Sequence, residues 1–229
     1  MGCITALIMV AMKSERIQIN EAFGIPHSQN FMNIGCSKIY IFETGIGMVH
    51  ASSAIANALH SITPDFVINT GCAGAHSPTL EKGDVVIGSE YVPLSNIIVH
   101  PNKTIEHYGV RVGDNKIHSY KANDVLLKIA STLQAKNIGK IGSYDMWINN
   151  KELVEYFHEK FETMCEDMEA AAIAQVCSIF EIPFIAIKDI SNSVHHTHND
   201  FEPESHVEYQ WLGKNSAIIA KKIFDKINS

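Results

Sequence analysis

The chain has 229 residues, 46% hydrophobic and 19% charged, a balance that supports a large buried core and excludes a disordered chain. Its formal net charge is -7 and no basic run stands out, which excludes a nucleic-acid-binding surface. The five cysteines (Cys3, Cys36, Cys72, Cys165 and Cys177) are odd in number and contain no C-x-x-C pair, so they read as thiols of a reducing compartment, not as a disulfide frame or zinc site.

From the N-terminus, residues 4–12 form the first apolar run of strand length. The run is too short to span a bilayer and has no charged lead-in. Ala6 stands where a myristoylation pattern has Ser or Thr, so no membrane association and a cytoplasmic location are expected. Further strands are expected at 38–42, 66–70, 84–87, 140–144 and 184–190. Most are continuously apolar, the pattern of strands covered on both faces. Helical spacing marks 49–61, 123–136, 150–161, 168–180 and 207–227, with Val125, Leu126, Ile129 and Leu133 forming one stripe. This alternation predicts a three-layer α/β/α sandwich with a mixed, largely parallel central sheet. No Pro-, Gly- or Ser-rich linker interrupts it, so residues 1–229 are expected to form a single domain.

Ligands of such folds bind at the carboxyl ends of strands, which directs attention to 11–15, 44–47, 69–74 and 188–192. In Asn69-Thr-Gly-Cys-Ala-Gly74 two glycines three apart permit positive φ and close approach of a ligand, or a tight turn with no ligand at all. The spacing is neither a dinucleotide fingerprint nor a P-loop. Glu169 opens the small-residue run Ala170-Ala-Ala-Ile-Ala174. A carboxylate there is favoured by the helix dipole whether or not it meets a ligand. His195-His-Thr-His198, with Asp200 and Glu202 nearby, fits no metal signature and reads as a loop or a lid; no metal and no cofactor are expected.

Together these segments resemble the nucleoside phosphorylase superfamily, and within it the methylthioadenosine/S-adenosylhomocysteine nucleosidases. The resemblance rests on Ala11-Met-Lys-Ser-Glu15, Thr44-Gly-Ile-Gly47, Ile68 to Gly74 with Pro78 to Asp84, Asp167-Met-Glu-Ala-Ala-Ala-Ile-Ala174, and Ile182 to Ser191. It keeps its order along nearly the whole chain, except for residues 93–120. It implies cleavage of a purine N-glycosidic bond through an oxocarbenium-like transition state. Glu15 is then the general base for water, Glu169 holds the ribose hydroxyls, and Met168 packs under the sugar. Cys72, Ala73 and Gly74 line the site, Trp147 stacks on the purine, the Ile148 backbone reads its edge, and Lys188 replaces an arginine near the water. The resemblance also implies a homodimer.

Water is favoured over phosphate because the chain holds two arginines, Arg16 and Arg111, whereas phosphate is usually held by arginine forks. A phosphorylase that recruits phosphate without arginine, and a nucleoside-binding protein without turnover, are the alternatives. Asn192 departs from the nucleosidase pattern, where an aspartic acid protonates the leaving adenine; an amide donates and accepts hydrogen bonds but transfers no proton. Asparagine here resembles branches acting on 6-oxopurines, including futalosine hydrolases. If the strand keeps its two-residue period, Asn192 shares a face with Lys188 while Asp189 points away.

Overall fold

β1 (Thr5–Val10) is buried on both faces from Ala6 onward, as a central strand must be. In the computed structural model, which describes residues 2–102, 104–107, 118–133, 136–195 and 211–229, it pairs in parallel with β3 (Ser37–Glu43) and β4 (Phe66–Ala75). β2 (Phe31–Ile34) runs antiparallel to β3 at that edge. Beyond β4 lie β11 (Phe184–Ser193), β5 (Val85–Pro93), β9 (Asn137–Ser143) and β10 (Thr163–Asp167). β10 also pairs antiparallel with the end of β4, Cys165 opposite Ala75 and Glu166 opposite Gly74. The strands β4, β11, β5, β9 and β10 thus close into a ring, which sets the carboxyl ends of β4, β10 and β11 against one another. β8 (Tyr120–Lys121) pairs with β5, and β6 (Ile97–Val99) with β7 (Ile105–His107) as a separate ribbon.

On one side α1 (Lys13–Phe23), α3 (Asp124–Ser131) and α6 (Lys214–Asn228) pack together and on the sheet. On the other, α2 (Met48–Ser61) and α5 (Ala170–Ile179) pack on each other, and α4 (Lys151–Phe161) lies on β10. The mixed α/β architecture matches the expectation; among the described residues of the main sheet five strand pairings are parallel and four antiparallel. The alanines of α5 are buried, which lets the helix sit close to the strands beneath it.

Several expectations need correction. α1 has no counterpart among the expected helices because its buried face is largely polar: Glu15, Gln18 and Asn20 are buried beside Ile19 and Phe23. Asn20 Nδ2 donates to the carbonyls of Pro26 and Gln29 at 2.8 Å, fixing the loop after the helix. The supposed turn at 69–74 is the second half of β4. α3 ends at Ser131, and Val125 leaves the expected stripe for solvent while Leu126 and Ala130, one turn apart, are buried. Positions 134–135 and 207–210 of the expected helices, and His196, His198, Asp200 and Glu202, lie outside the described residues. Among those described, no cluster of His, Cys, Asp or Glu is arranged to hold a metal, and no helix is long and apolar enough to cross a membrane.

The reading of all five cysteines as thiols is also corrected. Cys3 and Cys36 form a disulfide, and Cys72, Cys165 and Cys177 are free. The register explains the pairing. β1 and β3 align Thr5 with Lys38, and two residues back along both strands Cys3 meets Cys36, with Cα atoms 5.2 Å apart, within the usual range for a bridge.

Candidate active site

At the carboxyl ends of β4, β10 and β11 lies an open cleft enclosing about 680 Å³ including its mouth, a size suited to a small organic molecule. Its wall includes Glu15 from α1, Cys72 to Gly74 from β4, Glu166 to Glu169 where β10 meets α5, and Ser191 and Asn192 from β11. Ile46, Met146 and Trp147 border it as well, the last exposed at the surface.

Glu15 is held by backbone. Its Oε2 accepts from the N–H groups of Ala11 (2.8 Å) and Met12 (3.2 Å), and its Oε1 from Cys72 N–H (3.0 Å). A carboxylate offers about four acceptor positions, so room for one further partner, such as a water, remains. The approach requires glycine at position 71: φ there is +148°, and a Cβ would stand 2.4 Å from Glu15 Oε1. Burial, followed by the neighbouring Glu15 charge, pushes the Cys72 thiol well up, so this sulfur is a wall and not a nucleophile.

Across the cleft, Glu169 occupies the N-cap of α5, one position outside the first turn expected for it. Its side chain caps nothing in its own helix. Instead Oε1 accepts from Gly47 N–H at 2.9 Å, joining the β3–α2 turn to α5. The capping falls to Asp167 and Ser143: Asp167 Oδ2 accepts from Ala170 N–H at 2.9 Å, and Ser143 Oγ from Ala171 N–H at 2.9 Å. Lys188 is fully buried beneath this pair, its Nζ 2.8 Å from Asp167 Oδ2 and 3.9 Å from Glu169 Oε2. Burial alone would lower the lysine's pKa, but Asp167, Glu169 and Glu15 outweigh it and raise it. Because Lys188 is committed to Asp167, Glu169 keeps only the longer contact. Burial therefore prevails and pushes its pKa up to about 7, with Lys188 opposing.

β11 carries a bulge between Ile190 and Asn192, which breaks the expected two-residue period. Ser191 and Asn192 both border the cleft in consequence. Asp189 points away, as expected, and accepts from the N–H groups of Asn215 (2.9 Å) and Ser216 (2.7 Å) at the start of α6. Burial raises its pKa to about 6 against those hydrogen bonds.

The profile of the phosphorylase superfamily matches residues 6–226. The chain belongs to this superfamily. A 5'-methylthioadenosine/S-adenosylhomocysteine nucleosidase of Geobacillus sp. (strain WCH70) is 39% identical to it over 163 residues, 67% of each chain. One from Marinomonas sp. (strain MWYL1) is 31% identical over 196 residues, 81% of this chain and 80% of its own. Among solved structures, a Helicobacter pylori 5'-methylthioadenosine/S-adenosyl homocysteine nucleosidase superposes with TM-score 0.76 at 18% identity, covering 100% of this chain and 99% of its own. The futalosine hydrolase of Helicobacter pylori strain 26695 superposes with TM-score 0.74 at 20% identity, covering 98% and 97%. At those identities the structures show a shared fold.

In this superfamily member the cleft brings together Glu15, Cys72, Ala73, Gly74, Trp147, Met168, Glu169 and Asn192 of the residues expected from sequence. Two others stand elsewhere. Lys188 lies under Glu169 instead of on the cleft wall, because a lysine held by Asp167 cannot also reach outward. The Ile148 side chain packs in a small core with Val92, Leu94, Tyr144 and Phe157. Glu166, Asp167 and Ser191 also border the cleft and were not anticipated. Asp167 and Glu166 adjoin the Met-Glu pair in sequence, a signal available in principle; Ser191 reaches the cleft through the bulge, which leaves no sequence mark.

The raised Glu169 has a consequence for stability. A carboxyl whose folded pKa exceeds its ordinary 4.5 stabilises the fold below that value and loses this contribution as pH rises to about 7. Asp189 acts in the same direction between its ordinary 3.8 and about 6. Replacement Glu169→Gln should flatten the fall in stability between pH 5 and pH 7.5. Urea midpoints of both proteins at the two pH values measure it, and an unchanged slope would remove Glu169 as a source.

Proposed function

We propose that the chain is a purine nucleoside N-ribohydrolase with a preference for a 6-oxopurine base. The observation that carries this is the convergence of Glu15, Glu169 and Asn192 on one cleft. Glu169, fixed by Gly47 N–H, takes the ribose hydroxyls above Met168. A water at the open acceptor position of Glu15 attacks the anomeric carbon. As the glycosidic bond breaks, its electron pair moves to the purine and the water gives its proton to Glu15. The departing base takes its N7 proton from solvent at the open cleft; Asn192 donates to O6 and accepts from the N7–H so formed, an edge that adenine's amino group does not match.

Water is favoured because, among the described residues, no arginine borders the cleft. Arg16 is turned to Glu43 and the His27 carbonyl, and Arg111 lies outside the described residues. A homodimer is supported by the exposed Ile46, Val49, Met146 and Trp147 at or near the cleft mouth. A single domain remains our reading of the composition; a cytoplasmic setting is kept without the cysteine argument, which the Cys3–Cys36 bridge removes.

Base release should be measured without phosphate on methylthioadenosine, S-adenosylhomocysteine, adenosine, inosine, guanosine and futalosine. Hypoxanthine should exceed adenine by about a hundredfold or more, the discrimination available when a polar site is mismatched. Preferred adenine release would overturn the 6-oxopurine reading, phosphate dependence would mark a phosphorylase, and binding without release would mark a protein without turnover.

A further inference from the structure

The turn between β3 and α2 is held from outside its own helix. α2 begins at Met48, and Gly47 at its N-cap has no side chain with which to cap it. The first N–H groups of a helix have no partner within it, and no acid stands in the first turn of α2. Two distant carboxylates fill both gaps. Glu169 Oε1 accepts from Gly47 N–H at 2.9 Å, and Asp145 Oδ1 accepts from Met48 N–H at 2.6 Å. They stand 122 and 97 residues further along the chain. Each also brings a negative charge to the positive end of α2.

The two bonds flank a single residue. Gly47 lies between the two N–H groups at φ +104°, and a Cβ there would stand 2.9 Å from Asp145 Oδ1. The Asp145 carboxylate thus rests against Gly47, and where it holds Met48 sets the direction of the Gly47 N–H. Asp145 is itself firmly carried. Tyr144 before it is buried and donates its N–H to the Asp167 carbonyl at 3.2 Å, and Ile148 after it is buried in the small core. Between these anchors Met146 and Trp147 border the cleft, whereas Asp145 is not on its wall. At the far end of the chain of contacts, Glu169 Oε2 is 3.9 Å from Lys188 Nζ, beyond hydrogen-bond length. Gly47 N–H is therefore the bond that fixes the plane of the Glu169 carboxylate.

We propose that Asp145 is a positioning residue: by holding Met48 N–H it sets the Gly47 N–H, and through it the carboxylate of Glu169 that takes the ribose hydroxyls. This rests on the nucleosidase reading of Glu169 and adds to it a residue that touches no substrate. Asp145 stands two residues before Trp147, so the same bond joins the loop on the base side of the cleft to the acid on the ribose side.

The test compares inosine with 2',3'-dideoxyinosine, which offers Glu169 no hydroxyl, in the wild type, Asp145→Ala and Asp145→Asn. A weakened hydrogen bond to a charged group predicts that Asp145→Ala lowers kcat/KM for inosine by about tenfold or more. The loss on the dideoxynucleoside should stay within about threefold. Asp145→Asn keeps an oxygen for Met48 N–H and should stay within about threefold of the wild type on both. Equal losses on the two nucleosides in Asp145→Ala, the mark of a structural role, would overturn the proposal, and so would an Asn variant as slow as the Ala variant. A second readout needs no turnover. Amide hydrogen exchange followed residue by residue should quicken by about tenfold at both Met48 and Gly47 in Asp145→Ala. Exchange at Gly47 unchanged from the wild type would overturn the proposal. If the wild type releases no base at all, the nucleosidase reading fails first, and exchange at Gly47 still decides whether Asp145 sets the donor of Glu169.

Discussion

Glu15→Gln should lower kcat for base release by about 10² to 10⁴, the range that a positioned general base supplies. The same change should destabilise the fold by about 1–3 kcal/mol. The two losses share one cause. Both carboxylate oxygens accept backbone N–H groups, from Ala11 and Met12 on one and from Cys72 on the other. The glutamine amide must place an NH2 where one oxygen was, facing a donor that then has no acceptor. Glycine at position 71 leaves no slack, since Glu15 already fills the space a Cβ would need. Steady-state rates, urea midpoints and the affinity for free hypoxanthine separate the effects. Affinity for the base should stay within about threefold, because Glu15 serves the water and the base is held by other residues. Turnover within tenfold of the wild type would remove Glu15 from the role of base.

How much of this was legible in the sequence depended on whether burial there is apolar. β1 and the first four residues of β11, Phe184 to Ile187, announce themselves because both faces are covered and the positions are hydrophobic or nearly so. α1 does not, because the residues it buries are there to bind: Glu15 takes three backbone donors and Asn20 two backbone acceptors. β10 is short and was not among the expected strands, and its pairing with β4 sets Glu166 opposite Gly74. The cleft residues carried over from the family resemblance come together in space, apart from Lys188 and the Ile148 side chain. His76 and Glu166, whose side chains pair at 2.6 Å, were illegible as neighbours because they are 90 residues apart and meet through the antiparallel pairing of β10 with β4. The Cys3–Cys36 bridge was hidden for the opposite reason. The strands were expected, but a count of cysteines does not contain the register that aligns them.

Lys188→Met should cost about 3–5 kcal/mol of stability near pH 8, the penalty for removing one partner of a buried ion pair. Methionine fits the space, so packing contributes little of that loss. What remains is Asp167 and Glu169, both buried, with no cation between them. Neither is free to turn outward, since Asp167 caps α5 through Ala170 N–H and Glu169 holds Gly47 N–H. The least costly response is for Glu169, already raised by burial, to take up a proton, so its folded pKa rises further. A raised carboxyl stabilises at low pH and loses that contribution as pH climbs. The deficit of the variant should therefore shrink toward pH 5, and urea midpoints at pH 5.5 and 8 would show it. Lys188→Arg should stay within about 1 kcal/mol of the wild type, because a planar fork can engage both carboxylates. A Met variant as stable as the wild type at pH 8 would mean that the charges are solvated in ways the buried geometry does not provide. The role of Lys188 as the buried counter-charge of Asp167 and Glu169 would then have to be abandoned.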